Sequence, residues 1–426
     1  MSNESAVRRQ TLLGLSGLVA AGAAGGCAFG PRVPRPTVRV IVIGGGWAGA
    51  AAARRLRLAG TDAVEVLLIE REPRFVSSPL SNLILSGVRQ IEDLTFDYAG
   101  LRQRGVRVLH DQVTAIDPVR KRVSLRRITD LSFDALVMAC GAEPETTGID
   151  GLDEAVGSGG PADWKAGPGT VALRRRLEAM PDRGTFVLSI PAPPFSGPDA
   201  PYERVCQVAH ALRRGKPRAR IVVLDANPAG QAEASGFIDA WRELYRGQID
   251  YRPETAVAAV HTASRSVLTE QGDTVRADVL SVVPPQRAGE LAHRAGLVGG
   301  RSRWAQVDWL TMESRVVRDV YPIGDAAMGG PDLPKSAALA IQQGQLAAET
   351  ILARLAGRAP PEPAMTDHRY SFIDDRRVLH TRAALRWQPS ARRLERAEGA
   401  AAPAVSWVDA GQAYAWARDA WVELLG

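Results

Sequence analysis

The sequence predicts an α/β protein with two Rossmann-like units followed by a C-terminal α+β module. Three observations support this fold class. A β-branched run, Val38–Ile43, leads into a glycine-rich turn and a helix of small residues. A second pair of apolar runs, at residues 184–189 and 220–225, begins another α/β unit. A later run ends in Gly324-Asp325 before a long helix. Short apolar runs that alternate with helices are typical of buried parallel strands.

The first turn carries the G-x-G-x-x-G pattern. Gly44 permits a tight turn, Gly46 lets the backbone approach a pyrophosphate, and Gly49 lets the helix pack closely on the strand. The next apolar run ends in Glu70, 21 residues after Gly49, where a carboxylate can bind ribose hydroxyls. A dinucleotide site is therefore predicted, the alternative being a Rossmann-like unit that binds nothing. The residues assigned to it here are Gly44, Gly46, Trp47, Ala48, Gly49, Glu70 and Arg71.

Further binding residues are predicted where later strands end, because ligands lie at the carboxyl edge of an open α/β sheet. A polar loop after Glu70 contains Ser78 and Asn82. Runs at 106–110, 112–116 and 122–125 are predicted as strands of a small sheet, and residues 133–139 as another buried strand. Val113 and Gly141, at the ends of such runs, complete this group.

Composition excludes several classes of function. The chain has 426 residues and a net charge of +6, with no basic patch interleaved with aromatic residues, which disfavours nucleic acid as a ligand. Cys27, Cys140 and Cys206 form no C-x-x-C pair, and the six histidines show no metal-ligand spacing. No metal is expected, and Cys140 and Cys206 are predicted to be small buried core residues.

Residues 1–30 have the features of an export signal rather than of a folded segment. Arg8-Arg9 precedes an apolar stretch rich in alanine and glycine that is too short to span a membrane comfortably. We expect a periplasmic protein exported by the twin-arginine route and without a membrane span in the mature chain. Two alternatives are lipidation at Cys27 and an N-terminus that is not cleaved.

The second unit lacks the glycine turn of the first. Residues 190–204, which follow its first strand, contain five prolines and no G-x-G-x-x-G pattern. Proline has no N–H, so this segment offers few backbone donors to a pyrophosphate. The sequence therefore argues against NAD(P)H as a co-substrate.

Several segments together resemble the flavoprotein subunit of flavocytochrome c sulfide dehydrogenase, a relative of sulfide:quinone oxidoreductase. They lie at residues 79–82, 164–168, 192–195, 197–204, 284–289, 323–326 and 334–336. The resemblance implies two dinucleotide-binding domains of the glutathione-reductase type, bound FAD, sulfide as donor and a c-type cytochrome subunit as partner. It also implies that Asp325, after Gly324, accepts hydrogen bonds from the ribityl chain. Ser336 is predicted to cap a helix over 337–355, beside Lys335, with its N-terminus towards the flavin.

The chain departs from that family at its reactive cysteines. Ser78 stands where the family attaches FAD, so FAD is expected to bind non-covalently. Gly197 and His368 are aligned with the family's redox disulfide, and Ala327 with a further cysteine. Because neither glycine nor histidine forms a persulfide, the catalytic residues stay open. His368 is a candidate acid or base if it faces the flavin, the alternative being a structural histidine.

The predicted organisation is an FAD-binding domain in two parts, residues 38–150 and 288–358, a degenerate NAD-type domain at 151–287 and an interface module at 364–426. The tryptophans of that module are expected either to cover the flavin or an interface, or to pack in a core. Three functions remain open: a flavoprotein dehydrogenase that passes electrons from a small sulfur donor to a cytochrome c, an NAD(P)H-dependent reductase, and a non-catalytic FAD-binding partner in an electron-transfer complex.

Overall fold

The computed structural model describes residues 37–128, 130–157, 160–162, 164–229, 232–329, 333–397 and 404–426. The expected export signal and Cys27 lie outside these ranges. In chain order, the described strands are β1 Val38–Ile43, β2 Val64–Glu70, β3 Phe75–Val76, β4 Thr95–Phe96, β5 Arg107–His110, β6 Val113–Asp117, β7 Arg122–Leu125, β8 Leu131–Ser132, β9 Ala135–Met138, β10 Ala142–Pro144, β11 Thr185–Ile190, β12 Arg220–Asp225, β13 Ile249–Arg252, β14 Val257–His261, β15 Ser266–Thr269, β16 Thr274–Arg276, β17 Val279–Val282, β18 Gln286–Ala288, β19 Val320–Pro322, β20 Ala364–Phe372, β21 Arg377–Gln388, β22 Arg393–Arg396 and β23 Ala404–Asp409.

The described helices are α1 Trp47–Gly60, α2 Leu83–Ser86, α3 Ala99–Gln103, α4 Leu152–Gly157, α5 Pro168–Ala179, α6 Ala200–Gly215, α7 Ala232–Leu244, α8 Glu290–Arg294, α9 Ala337–Leu355 and α10 Ala410–Leu425. Among the described residues, no helix combines the length and the apolar character that crossing a membrane requires.

The first sheet is parallel, with strand order β19-β9-β1-β2-β5. Its central strands are apolar on both faces because helices cover both sides of the sheet. The prediction that 106–110 belongs to a small sheet was wrong: β5 pairs with β2 and forms the edge of the main sheet. An apolar run shows that a strand is buried, but it does not name its partner. The small sheet consists of β6, β7 and β8.

Helices α1 and α9 lie in close contact over this sheet because both are built from small residues. A Cβ on Gly344 of α9 would lie 2.2 Å from the carbonyl oxygen of Ala48 in α1. This approach brings the N-terminal ends of both helices to the same region. The predicted bounds of α9 and its Ser336 cap are confirmed, since the Ser336 hydroxyl accepts a hydrogen bond from Leu339 N–H.

The second sheet is also parallel, with order β13-β12-β11-β17. The chain leaves the first unit along β10 and returns along β18, and these two strands pair antiparallel. A C-terminal antiparallel sheet follows, in which β21 pairs with β20, β22 and β23, and α10 packs beside α1 and α3. The predicted fold class, two Rossmann-like units and an α+β module, is confirmed.

Candidate cofactor and active site

A cavity of about 630 Å³ opens at the carboxyl edge of the first sheet. Its walls come from the glycine turn, the loop after β3, the segment before α6, the N-terminus of α9 and strand β20. Of the residues predicted from the sequence, those that line it are Gly46, Trp47, Ala48, Ser78, Asn82, Gly141, Gly324, Asp325, Lys335, Ser336 and His368. The structure thus gathers residues from separate parts of the chain around one space.

The glycine turn has three sterically distinct positions. Gly44 has φ +96°, and a Cβ there would lie 2.2 Å from the carbonyl oxygen of Ala139. A Cβ on Gly49 would lie 1.8 Å from the carbonyl oxygen of Gly44. Gly46, by contrast, has open space at its Cβ position and begins α1 without a side-chain cap. The turn is therefore closed on the sheet side, and the uncapped helix N-terminus is open to a ligand.

Five of the predicted binding residues lie outside the cavity lining: Gly44, Gly49, Glu70, Arg71 and Val113. The Glu70 carboxylate accepts hydrogen bonds from the N–H groups of Gly45 (2.6 Å) and Glu72 (2.8 Å) and so holds the turn in place. Gly49 fixes α1 against the turn. The structure does not bring Arg71 and Val113 to the cavity lining: Arg71 is exposed and lies 3.7 Å from Glu72, and the Val113 side chain is buried in the core.

The loop after β3 is tied to α1 on one side and to α6 on the other. The Trp47 indole N–H donates to the Ser78 hydroxyl at 3.3 Å. The Asn82 amide donates to the Ala200 carbonyl at 3.0 Å and to the Glu203 carboxylate at 2.8 Å. Burial raises the pKa of Glu203 to about 7, although hydrogen bonds from Phe372 N–H and Asn82 oppose this rise. A carboxyl that titrates near neutral pH therefore stands in the cavity wall.

The opposite wall carries Asp325 and Lys335. The Ser196 hydroxyl, from the segment before α6, donates to the Asp325 carboxylate at 2.6 Å. The Lys335 ammonium donates to the carbonyl oxygens of Asp325 (2.8 Å) and Ala327 (2.6 Å) and lies 3.7 Å above the Trp304 ring centre. Burial lowers the pKa of Lys335 to about 8. This wall thus joins the first unit to the second around a buried positive charge.

Arg369 and His368 lie on opposite faces of strand β20, and both line the cavity. Arg369 was not predicted from the sequence as a residue of the site. The Arg369 guanidinium, which is buried, bonds to Asp199 at 2.5 Å and to Asp367 at 2.8 Å. Arg369, rather than His368, therefore links β20 to the segment around Gly197. His368 lies on the alternate face and contacts His380 at 3.2 Å. Its position in the cavity lining keeps the prediction of an acid or base role open.

The tryptophans of the C-terminal module have different roles. Trp387 is buried in the core, Trp407 is 52% exposed, and Trp416 lines the cavity with its ring 6.3 Å from that of Trp47. Each of the two roles predicted from the sequence therefore applies to a different residue: Trp416 covers the cavity, and Trp387 packs in the core. The sequence could not separate them because the pattern of tryptophans does not say which face each one occupies.

In the second unit, the position after β12 is filled by side chains. The Asp225 carboxylate has no exposed surface and accepts hydrogen bonds from the hydroxyls of Tyr202 (2.7 Å) and Tyr251 (3.0 Å). The Asn227 amide donates to the same carboxylate at 2.7 Å and to the Pro191 carbonyl at 3.1 Å. The strand-end acid of this unit is saturated by the protein itself.

The two cysteines within the described ranges, Cys140 and Cys206, are free thiols. The Cys206 sulfur is buried and accepts a hydrogen bond from the Trp241 indole at 3.1 Å, as a structural thiol would. Cys140 is half-buried and packs near Gly289, and burial raises its pKa to about 11. In the described part of the chain there is also no group of three or more side chains arranged to hold a metal ion.

The residues around the cavity fit a flavin dinucleotide. The open space at Gly46 and the uncapped N-terminus of α1 provide room and N–H donors for a pyrophosphate. Gly324, with φ +65°, has no space for a Cβ beside Ala48, so the backbone before Asp325 approaches the same region. The N-terminal end of α9 supplies a positive dipole end to this cavity.

Comparisons with known proteins agree with this geometry. Residues 38–163 match the family model described as pyridine nucleotide-disulphide oxidoreductase, and residues 170–284 match that of the sulfide dehydrogenase [flavocytochrome c] flavoprotein chain, central. The mitochondrial sulfide:quinone oxidoreductase of Dictyostelium discoideum is 22% identical over 303 residues, 70% of this chain and 67% of that protein.

Solved structures show the same fold. The sulfide:quinone oxidoreductase of the bacterium Aquifex aeolicus superimposes with a TM-score of 0.72 at 19% identity, covering 90% of this chain and 89% of that one. A covalent putidaredoxin reductase–putidaredoxin complex gives a TM-score of 0.61 at 22% identity, covering 81% of each chain.

Proposed function

We propose that this chain, a sulfide dehydrogenase flavoprotein-like, FAD-dependent oxidoreductase, oxidises a small donor such as sulfide at the cavity and passes the electrons to a c-type cytochrome. The observation that carries the proposal is the single cavity that joins the glycine turn to a polar wall from α6 and β20. A donor that enters there meets the cofactor site without needing a second nucleotide site.

Different residues of the cavity would bind different parts of FAD. The first turn of α1 and Gly46 would hold the pyrophosphate, Asp325 the ribityl hydroxyls, and the Lys335–Ser336 end of α9 the flavin ring. FAD, when bound, supplies two-electron uptake from a donor and electron release in single steps. The buried Lys335 charge and the helix dipole favour extra negative charge in this cavity.

Non-covalent binding of FAD is part of the proposal. Ser78 is engaged by the Trp47 indole, and a neutral hydroxyl is a weak nucleophile without an adjacent base. Acid precipitation of the purified protein should therefore release all of the flavin into the supernatant. Flavin that stays with the precipitate would contradict this part of the proposal.

The donor and acceptor are tested together on the purified chain. Anaerobic mixing with sodium sulfide should bleach the visible flavin absorption, and subsequent addition of a c-type cytochrome should restore it while the haem is reduced. Bleaching without haem reduction would reject the cytochrome as acceptor. No bleaching by sulfide would reject sulfide as donor.

The second candidate is a non-catalytic FAD-binding partner of an electron-transfer complex. It is favoured by the cysteines of the described residues, because Cys140 and Cys206 are both free thiols and form no disulfide. Flavin that is bound but is reduced by no sulfur donor, together with co-purification of a cytochrome, would support it.

Export to the periplasm by the twin-arginine route also belongs to the proposal. Its support is the Arg8-Arg9 pair before an apolar stretch in residues 1–30. Expression of the full chain and of an Arg8→Lys/Arg9→Lys variant, followed by cell fractionation, tests it. The variant should stay in the cytoplasm, and equal periplasmic amounts of both would contradict the route.

A further inference from the structure

Two histidines and a tyrosine form a parallel ring array on the cavity side of β20 and β21. His368 Nδ1 lies 3.2 Å from His380 Nε2, and the two ring planes differ by 5°. His380 stacks on Tyr370 with ring centres 4.3 Å apart and an interplanar angle of 3°. The strand register explains this array. Tyr370 on β20 lies directly opposite His380 on β21, and His368 lies diagonally across from His380.

The pair connects the cavity with the outside of the protein. His368 lines the cavity, and none of the other histidines in the described residues does. His380 is only half-buried and is not part of that lining, so its exposed part faces solvent. Since Nδ1 of His368 contacts His380, its Nε2 is the nitrogen left for the cavity.

The surroundings lower the pKa of both rings and so favour their neutral forms. Burial and the exposed Arg382 on β21 lower the pKa of His368, and burial, His368 and Arg382 lower that of His380. Asp367 acts in the opposite direction, but its oxygens bind Ser336 and Arg369. Tyr370, with Trp416 behind it, completes the set of groups that face the pair. A neutral imidazole is both a donor and an acceptor, as a proton relay requires.

We propose that His368 and His380 relay protons between the cavity and solvent during the redox cycle. The inference rests on the proposed function only in taking the cavity as the FAD site. A donor DH₂ loses two electrons and two protons; the electrons and one proton stay at the FAD site, and the second proton goes to Nε2 of His368. His368 then gives its Nδ1 proton to Nε2 of His380, which releases its own Nδ1 proton to water. This transfer leaves both rings as Nε2–H tautomers, so exchange with water must restore the Nδ1–H tautomers before the next transfer. The retained proton then leaves along the same path when an acceptor withdraws the two electrons.

The kinetic test does not depend on the identity of the donor. FAD-loaded protein is photoreduced, then mixed with ferricyanide and a pH indicator dye in a stopped-flow instrument. In the wild type, proton release should keep pace with flavin oxidation. In His380→Phe, which keeps a ring on Tyr370 but removes both nitrogens, proton release should lag by about tenfold or more. Imidazole in the buffer should restore the rate in a His380→Ala variant.

Two control variants and a spectroscopic readout separate the relay from a structural role. His261→Gln, on an exposed position of β14, should behave as the wild type, and His380→Gln, which keeps a polar side chain without an imidazole, should show the same lag as His380→Phe. Histidine ¹⁵N spectra of the loaded wild type should show both rings neutral at pH 7, with one proton shared between Nδ1 of His368 and Nε2 of His380. This readout needs no turnover and remains informative if a variant fails to fold.

Either of two results would overturn the relay. One is proton release in His380→Phe that matches flavin oxidation as in the wild type. The other is a pair of rings that titrate independently at the ordinary histidine pKa with no shared proton. Absence of sulfide oxidation, by contrast, would reject the proposed donor and leave the relay result standing.

Discussion

The two Rossmann-like units repeat one design with opposite outcomes. In the first, β1, α1 and β2 end in Glu70, which braces a glycine turn that is open to the cavity at Gly46. In the second, β11, α6 and β12 end in Asp225, which is fully buried and bonded to Tyr202 and Tyr251. The same strand–helix–strand scaffold therefore offers backbone donors to a ligand in one unit and satisfies its own polar groups in the other.

The difference teaches that the turn, rather than the sheet, decides whether such a unit binds a dinucleotide. Both sheets are parallel, and the helix after the first strand of each sheet, α1 or α6, has no side-chain hydrogen bond capping its N-terminus. What differs is the segment that leads into the helix: the first is a glycine turn with open space at Gly46, and the second, at residues 190–204, contains five prolines. In the second unit, the segment before α6 is turned towards the first unit, where Ser196 bonds to Asp325. The second unit has thus become a wall of the first unit's site.

The largest expected effect comes from adding a side chain at Gly49, where α1 packs against the glycine turn. In Gly49→Val, the new Cβ would meet the Gly44 carbonyl at 1.8 Å, so α1 must move away from β1. We expect a loss of about 3 kcal/mol of unfolding free energy and purification without FAD. Urea unfolding and flavin content per chain measure this. The matched control is Gly215→Ala at the end of α6, where the Cβ position is open, and it should be near neutral.

Gly46→Val should weaken FAD binding while leaving the fold intact. The Cβ position at Gly46 faces open space, and its φ of −69° suits any residue. The side chain would occupy the space assigned to the pyrophosphate, so FAD affinity should fall about a hundredfold, which is about 2.7 kcal/mol. Calorimetric titration of the apoprotein with FAD measures this change. Unchanged affinity would show that the cofactor does not approach the turn.

Glu203→Gln tests the buried wall that α6 contributes. The folded-state pKa of about 7 lies above the ordinary value, so the folded protein holds the proton more tightly than the unfolded chain does. The unfolding free energy should therefore decrease as the pH rises from about 4.5 to 7, by up to about 3 kcal/mol. The variant should lack this part of the pH dependence. Parallel curves for both proteins in urea unfolding across this pH range would contradict the prediction.

The smallest expected effect is that of Tyr202→Phe in the second unit. Asp225 keeps its bonds to Tyr251 and Asn227, so the variant should lose about 1–2 kcal/mol of stability. Its FAD content should stay as in the wild type, which thermal unfolding and flavin absorption together would check. A variant that gained NADH binding would instead reveal a nucleotide site held closed by this tyrosine.

Much of the fold was predictable because its signals are local. The strand β1, the helix α9 with its Ser336 cap and the strand-end residues Glu70 and Asp325 are each marked by neighbouring residues in the sequence. The position of β5 at the edge of the first sheet could not be predicted, because pairing between distant strands leaves no local signal in the sequence. The same applies to the contact between Arg369 and Asp199, which are 170 residues apart, and to the pair formed by His368 and His380 across two strands.

Anaerobic titration of the FAD-loaded protein with NADH, and separately with NADPH, tests the contrast between the two units most directly. The account predicts that the visible flavin absorption stays unchanged and that neither nucleotide binds saturably, because Tyr202, Tyr251 and Asn227 fill the second position. Rapid bleaching of the flavin, or saturable binding of either nucleotide, would contradict it.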